Sequence, residues 1–240
     1  MKKYLIICSV LSLLVSVNVN AQAFQKGNIN FDLGFGLGIY GTKQTVETKL
    51  TGNAFGTPFS QSNVSDTTDG TASTIIPFSF EYGVSDKIGL GVDLTSSSYF
   101  IDEADRKYLS SVKGFDFGLK VNYHLLNSEK NDLFVGLGLG ASSINWTYGS
   151  DLTNNPFGLT SAKGSGTYFS LGITDRIFFS DHIGILFNLE YRGYNYSGIV
   201  AEGDASDAFA IFGITDVNFE QTLDWKLNGV HFGTGIAVKF

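Results

Sequence analysis

The chain has 240 residues, a net charge of −7, aromatics at 14%, 29 glycines, three prolines and one cysteine. Its acidity excludes a nucleic-acid partner, which needs a basic face. One cysteine excludes a disulfide framework, and beyond residue 21 no run of about 18 apolar residues could cross a membrane as a helix.

The first residues read as a secretory signal peptide. Met1-Lys2-Lys3 is a short basic start, Tyr4 through Val17 is apolar, and Val19-Asn20-Ala21 forms a small-residue cleavage site before Gln22. The apolar run is shorter than the roughly 20 residues of a spanning helix, so residues 1–21 are expected to be removed. Cys8 sits inside that run and not just after it, unlike a lipoprotein cysteine, and cleavage would leave a chain without thiols. Residues 22–240 then form one expected all-β domain.

From residue 28 the chain alternates with period two, and helical periodicity is missing. Eight strands are predicted at about 28–40, 74–84, 87–99, 112–125, 132–147, 165–178, 183–196 and 227–240. In the first, Phe31, Leu33, Phe35, Leu37 and Ile39 oppose Asn30, Asp32, Gly34, Gly36 and Gly38. The others repeat the pattern, one face carrying Phe, Leu, Ile and Val and the other Gly with scattered charges. Three connections are tight, at Ser85-Asp86, 127–131 and Ser180-Asp181; four are long, at about 41–73, 97–112, 148–164 and 197–226. Val84-Ser85-Asp86-Lys87-Ile88-Gly89 echoes Phe179-Ser180-Asp181-His182-Ile183-Gly184, which puts both turns on one rim. Loop 41–73, rich in Thr, Ser, Asn and Gly, is expected to be mobile.

The last strand ends Gly235-Ile236-Ala237-Val238-Lys239-Phe240, an alternating segment closed by an aromatic. With an even number of strands and alternating loop lengths, the chain resembles the small bacterial outer-membrane β-barrel proteins of the OmpA/OmpX type. The resemblance implies an all-β, eight-stranded antiparallel up-and-down transmembrane β-barrel in the outer membrane. It also implies a monomer without cofactor or metal, in contact with outer-membrane lipids, with Phe240 as the signal read by the barrel-assembly machinery. Tyr40, Tyr99, Trp146, Tyr148, Tyr194 and Tyr196 near the loop ends, and Tyr82, Tyr123, Phe178, Phe179 and Phe240 near the turn ends, are expected to form two interfacial girdles. A soluble barrel would instead have to bury all eight apolar faces and leave the glycine faces to solvent.

The polar residues say less about chemistry. Gly34-Phe35-Gly36-Leu37-Gly38 and Gly136-Leu137-Gly138-Leu139-Gly140 do not satisfy G-x-G-x-x-G and open no helix, so they read as inward strand positions. The histidines are three: His124 and His182 at the turn end and His231 at mid-depth. None lies in an external loop, so a surface catalytic base is not expected, although some barrels of this kind are lipid-modifying enzymes. Asp102, Glu103 and Asp105 in one external loop, and Glu202, Asp204, Asp207 and Asp216 in another, lack the spacing of a calcium loop. Asn63-Val64-Ser65 is a chance-level glycosylation triplet.

Inward charges form the candidate site. Counted from the turns, Asp32, Glu81 and Arg176 lie low, and Asp93, Lys120, Glu190, Arg192 and His231 lie near the middle. Asp93 and Lys120, on adjacent strands at similar height, are expected to pair. Such a network either plugs the barrel, giving a structural or surface-interaction protein that displays four loops, or gates a narrow small-solute or ion channel.

Overall fold

The computed structural model describes residues 22–149, 159–204, 209 and 214–240. Eight strands hydrogen-bond in chain order: β1 (Ile29–Ala54), β2 (Thr57–Gly83), β3 (Ile88–Tyr99), β4 (Leu109–Asn127), β5 (Asn131–Tyr148), β6 (Ser161–Phe178), β7 (Ile183–Asp204) and β8 (Ile214–Lys239). All pairings are antiparallel, and β8 returns to β1, from Asn30↔Lys239 to Ala54↔Ile214, closing the barrel. The expected architecture is thus the observed one. The anticipated signal peptide, 1–21, lies outside the described residues.

Side-chain alternation sorts the two faces. Leu33, Phe35, Leu37 and Ile39 on β1, Phe115, Phe117, Leu119 and Val121 on β4, and Leu137 and Leu139 on β5 point outward, each at least 46% exposed. An apolar belt running round the whole barrel exceeds the patch of a few hundred Å² that a soluble monomer tolerates. It matches a hydrocarbon solvent, where closure leaves no backbone group unpaired. The β1–β2 ladder skips from Leu33↔Phe78 to Gly36↔Ile75, at the point where Pro77 has no N–H to donate.

The tight turns gather on one rim, and the echoed hexapeptides have a common cause. The Ser85 hydroxyl accepts from the N–H groups of Lys87 and Ile88, and the Ser180 hydroxyl accepts from those of His182 and Ile183. Each serine closes its turn through its own side chain.

At the opposite rim the structure departs from the sequence reading in two ways. The segment 41–73 is not a mobile loop. β1 and β2 remain paired to Ala54↔Thr57, joined by Phe55-Gly56, both with positive φ (52° and 84°) as a two-residue hairpin turn requires. β7 and β8 likewise stay paired to Asp204↔Asn218. With β1 paired to β8 throughout, β7, β8, β1 and β2 stand as a four-stranded wall above the shorter β3–β6. The connection after β3 is short and holds one 3-10 turn, Asp105–Lys107; residues 150–158 and Asp207 lie outside the described residues.

The second departure concerns the upper aromatic girdle. Tyr40, Tyr99, Tyr194 and Tyr196 are 2%, 6%, 3% and 0% exposed and point into the barrel, packed with Trp146 and Tyr148 and not facing lipid. They occupy the inward phase of the alternation, which end-of-strand position alone does not reveal. At the turn rim Tyr82, Tyr123, Phe179 and Phe240 do face outward, while Phe178 is buried.

Leu137 sits mid-belt between Val121 and Leu171. Leu137→Arg is expected to cost roughly 2–4 kcal/mol, the penalty for a cation at lipid mid-depth, and Leu137→Phe to be tolerated. Urea unfolding in lipid vesicles measures both; equal stability of the two variants would contradict the belt.

Candidate functional site: the filled lumen

Inward glycines do not leave an open bore, because many of them are the seats of larger side chains. A side chain at Gly118 or Gly140 would collide with Tyr168, one at Gly136 with Lys120 and Asn122, one at Gly89 with Glu81, and one at Gly172 with Glu190. The interior of an eight-stranded barrel is just wide enough for side chains to fill, and here they fill it in layers.

The layer nearest the turns is built on Arg176 of β6, which is 1% exposed. It donates to Asp32 through Nε (3.0 Å) and Nη2 (2.6 Å), and through Nη1 to Glu81 (2.7 Å) and Asp132 (3.0 Å). His124 of β4 lies between Asp132 (Nδ1, 2.5 Å) and Glu81 (Nε2, 3.1 Å), and Asn122 donates to Glu81 at 2.7 Å. Three strands, β1, β2 and β5, thus send carboxylates to one guanidinium, whose planar fork can satisfy several carboxylates at once. Its flat face lies 4.4 Å over the Phe134 ring.

Above it, Arg192 of β7 organises a second layer. It bonds Glu190 through Nε, Asp93 through Nη2 (2.7 Å), and Asp116 and Thr95 through Nη1 (3.0 Å and 3.1 Å). Lys120 donates to the other Glu190 oxygen at 3.0 Å. Tyr194 and Ser142 hold Asp116 at 2.9 Å and 2.5 Å, and Tyr168 reaches Asp93 at 3.3 Å. His231 meets the Tyr40 hydroxyl at 2.6 Å, just above. A cavity of about 50 Å³, lined by Asp32, Ser79, Lys120 and Asn188 among others, separates the two layers; it has room for a few waters.

Both ends are stoppered. Outward, Tyr194 stacks on Tyr196 (5.9 Å, 6°), Tyr196 on Trp225 (6.2 Å, 26°), and Tyr99 and Trp146 pack on Trp225 at 5.4 Å each. At the turn rim, residues 22–28 fold beneath the barrel. Phe24, fully buried, stacks on His124 with centroids 3.4 Å apart. Its N–H donates to Asn127 (2.8 Å), its carbonyl accepts from the Asn127 amide, and Ala23 N–H donates to Ser128.

All eight charged or ionisable residues singled out from the sequence point into the lumen, and the one pair expected among them is not formed. Asp93 and Lys120 do not pair: Asp93 sits opposite Gly118, Lys120 sits opposite Gly91, and each reaches across the bore to β7 instead. Asp116, Asp132 and His124 belong to the layers and were not singled out. Their inward phase was legible; their reach to Arg176 and Arg192 on other strands was not.

These features define the class: a membrane-spanning, eight-stranded β-barrel with a filled lumen. No family model and no curated protein matches the chain. Among solved structures it is similar to the outer membrane protein OprG from Pseudomonas aeruginosa, at 17% identity and a TM-score of 0.52 over 90% of this chain and 97% of that one. Neisserial surface protein A (9% identity, TM-score 0.43, 83% and 97% covered) and Ail of Yersinia pestis (11%, 0.38, 90% and 99%) are also found. The fold is that of the small bacterial outer-membrane barrels, and the apolar belt is the part of it that meets lipid.

Replacing Arg176 by Met leaves three carboxylates around no cation and is expected to cost about 3–5 kcal/mol. In double-mutant cycles, Lys120→Met with Glu190→Gln should show a coupling of roughly 0.5–3 kcal/mol, larger than Lys120→Met with Asp93→Asn. Urea unfolding in vesicles gives both, and a larger Asp93 coupling would restore the direct pair.

Proposed function

We propose that this protein is a sealed, monomeric outer-membrane barrel whose working surface is the wall of paired strands standing above it. The observation that carries this reading is the layered filling of the lumen on both sides of its small cavity, from Phe24 through the Arg176 and Arg192 layers to the Tyr196–Trp225 stack. A barrel that offers solutes no path presents its outside instead. The wall suits that role. Residues 60–70 of β2 are exposed on both faces, and among the described residues the edge turned away from β1 is unpaired, since β3 pairs with β2 only from Ser73 onward. An open strand edge is a template for an added strand from a partner. In this reading Phe240, outward and packed edge-on to Phe31 at 5.8 Å, marks the closing strand for the assembly machinery.

The reading assigns no reaction to the chain. His124 is enclosed by Phe24 and two carboxylates, and the hydrogen-bond partner of His231 is the Tyr40 phenol, so neither imidazole activates a surface nucleophile.

Planar-bilayer recording tests the seal. The purified barrel is expected to give no stepwise conductance. Stable unitary steps from the unaltered protein would replace this reading with the narrow channel.

A further inference from the structure

The outer wall changes character at the upper edge of the belt. Gly193 takes the outward position on β7 between Tyr191 and Asn195, and the Phe169 ring lies where a side chain there would go. Around it a groove of about 510 Å³ crosses β5 to β8. Leu139 and Phe169 line its apolar part; Asn195, Asn228 and Lys226 line its polar part. The groove thus passes from apolar side chains on β5 and β6 to polar ones on β7 and β8, the profile of a single amphiphile.

Its polar end carries an unresolved charge conflict. Lys226 stands directly opposite Lys43 across the β8–β1 pair, both outward and exposed. Like charges at opposed sheet positions repel. Among the described residues neither lysine forms an ion pair. The outward carboxylate two residues along β8, Asp224, accepts from the Gly198 N–H at 2.8 Å. An anion shared between the two ammonium groups would turn the repulsion into two charge-assisted contacts. Across the barrel Lys113 and Lys163 are not directly opposed, since Asn145 of β5 stands between them in register.

We propose that this groove binds one phosphate-bearing lipid of the outward leaflet, with acyl carbon on Leu139 and Phe169 and phosphate bridging Lys43 and Lys226. A zwitterionic headgroup brings its own cation and does not relieve the pair. The proposal rests on the membrane-barrel reading above.

Native mass spectrometry of the full barrel in neutral detergent tests it, with diphosphoryl lipid A, its dephosphorylated form, phosphatidylcholine and inorganic phosphate as probes. The phosphorylated lipid is expected to give a retained adduct, weakened about tenfold or more by Lys43→Ser with Lys226→Ser. Lys87→Ser, at the opposite rim, should leave it unchanged. Equal retention of the dephosphorylated lipid, an unaffected double variant, or equally tight binding of inorganic phosphate alone would overturn the proposal. Heat-modified gel migration after vesicle insertion reports barrel folding separately, so a failed barrel is distinguished from a failed site.

Discussion

A charge inside an eight-stranded barrel has almost no water to solvate it, so it must be met by protein. Burial of an isolated ion costs several kcal/mol even after relaxation, and here one basic residue at the centre of each layer faces three carboxylates. Arg176 gathers Asp32, Glu81 and Asp132; Arg192 gathers Glu190, Asp93 and Asp116. Only a planar, multidonor cation answers several acids from different directions. The rest of the interior follows from seating those two forks. Glycines make room in the wall for several of the long side chains that cross, Tyr194 and Tyr168 share with Arg192 the carboxylate oxygens it holds, and Ser142 takes the other Asp116 oxygen.

The same crowding separates the barrel's fold from its use. Fold alone does not fix function, and many barrels of this size differ mainly in what stands above the membrane. In this chain two long hairpins and the β8–β1 pairing merge into one continuous sheet, so the external part inherits the register of the membrane part. A contact made high on the wall is made on a surface with fixed orientation, and its ordering cost has been met in folding.

Much of this was legible in the amino-acid order, and the limits of that legibility are physical. Period two gave the strands, their inward and outward faces and the tight turns, because the pleat and the lipid act on every residue alike. The hairpin at 41–73 was missed because its Thr, Ser and Asn content resembles loop composition. Its threonines are nonetheless good strand formers, and Phe55-Gly56 supplies the turn. The upper tyrosines were placed at the right height and on the wrong face. Pairing inside the lumen was hidden for a different reason: neighbour-strand logic orders Cβ positions, but Arg and Lys side chains are long enough to pass their neighbours. Asp93 of β3 therefore answers to β7, four strands away around the barrel, and not to β4.

Residues 22–28 do more than stop the bore. Lys26 N–H bonds Asp86 in the β2–β3 turn, Ala23 and Phe24 bond the β4–β5 turn, Gly27 bonds Gly83, and the Gln22 carbonyl accepts from Lys239 on the closing strand. Those acceptors and donors come together only when the β2–β3 and β4–β5 hairpins are in register and the first and last strands have met. The segment therefore works as a clasp, tying two turns of the rim to the closing strand, and a barrel whose ends have not met offers it no complete set of partners.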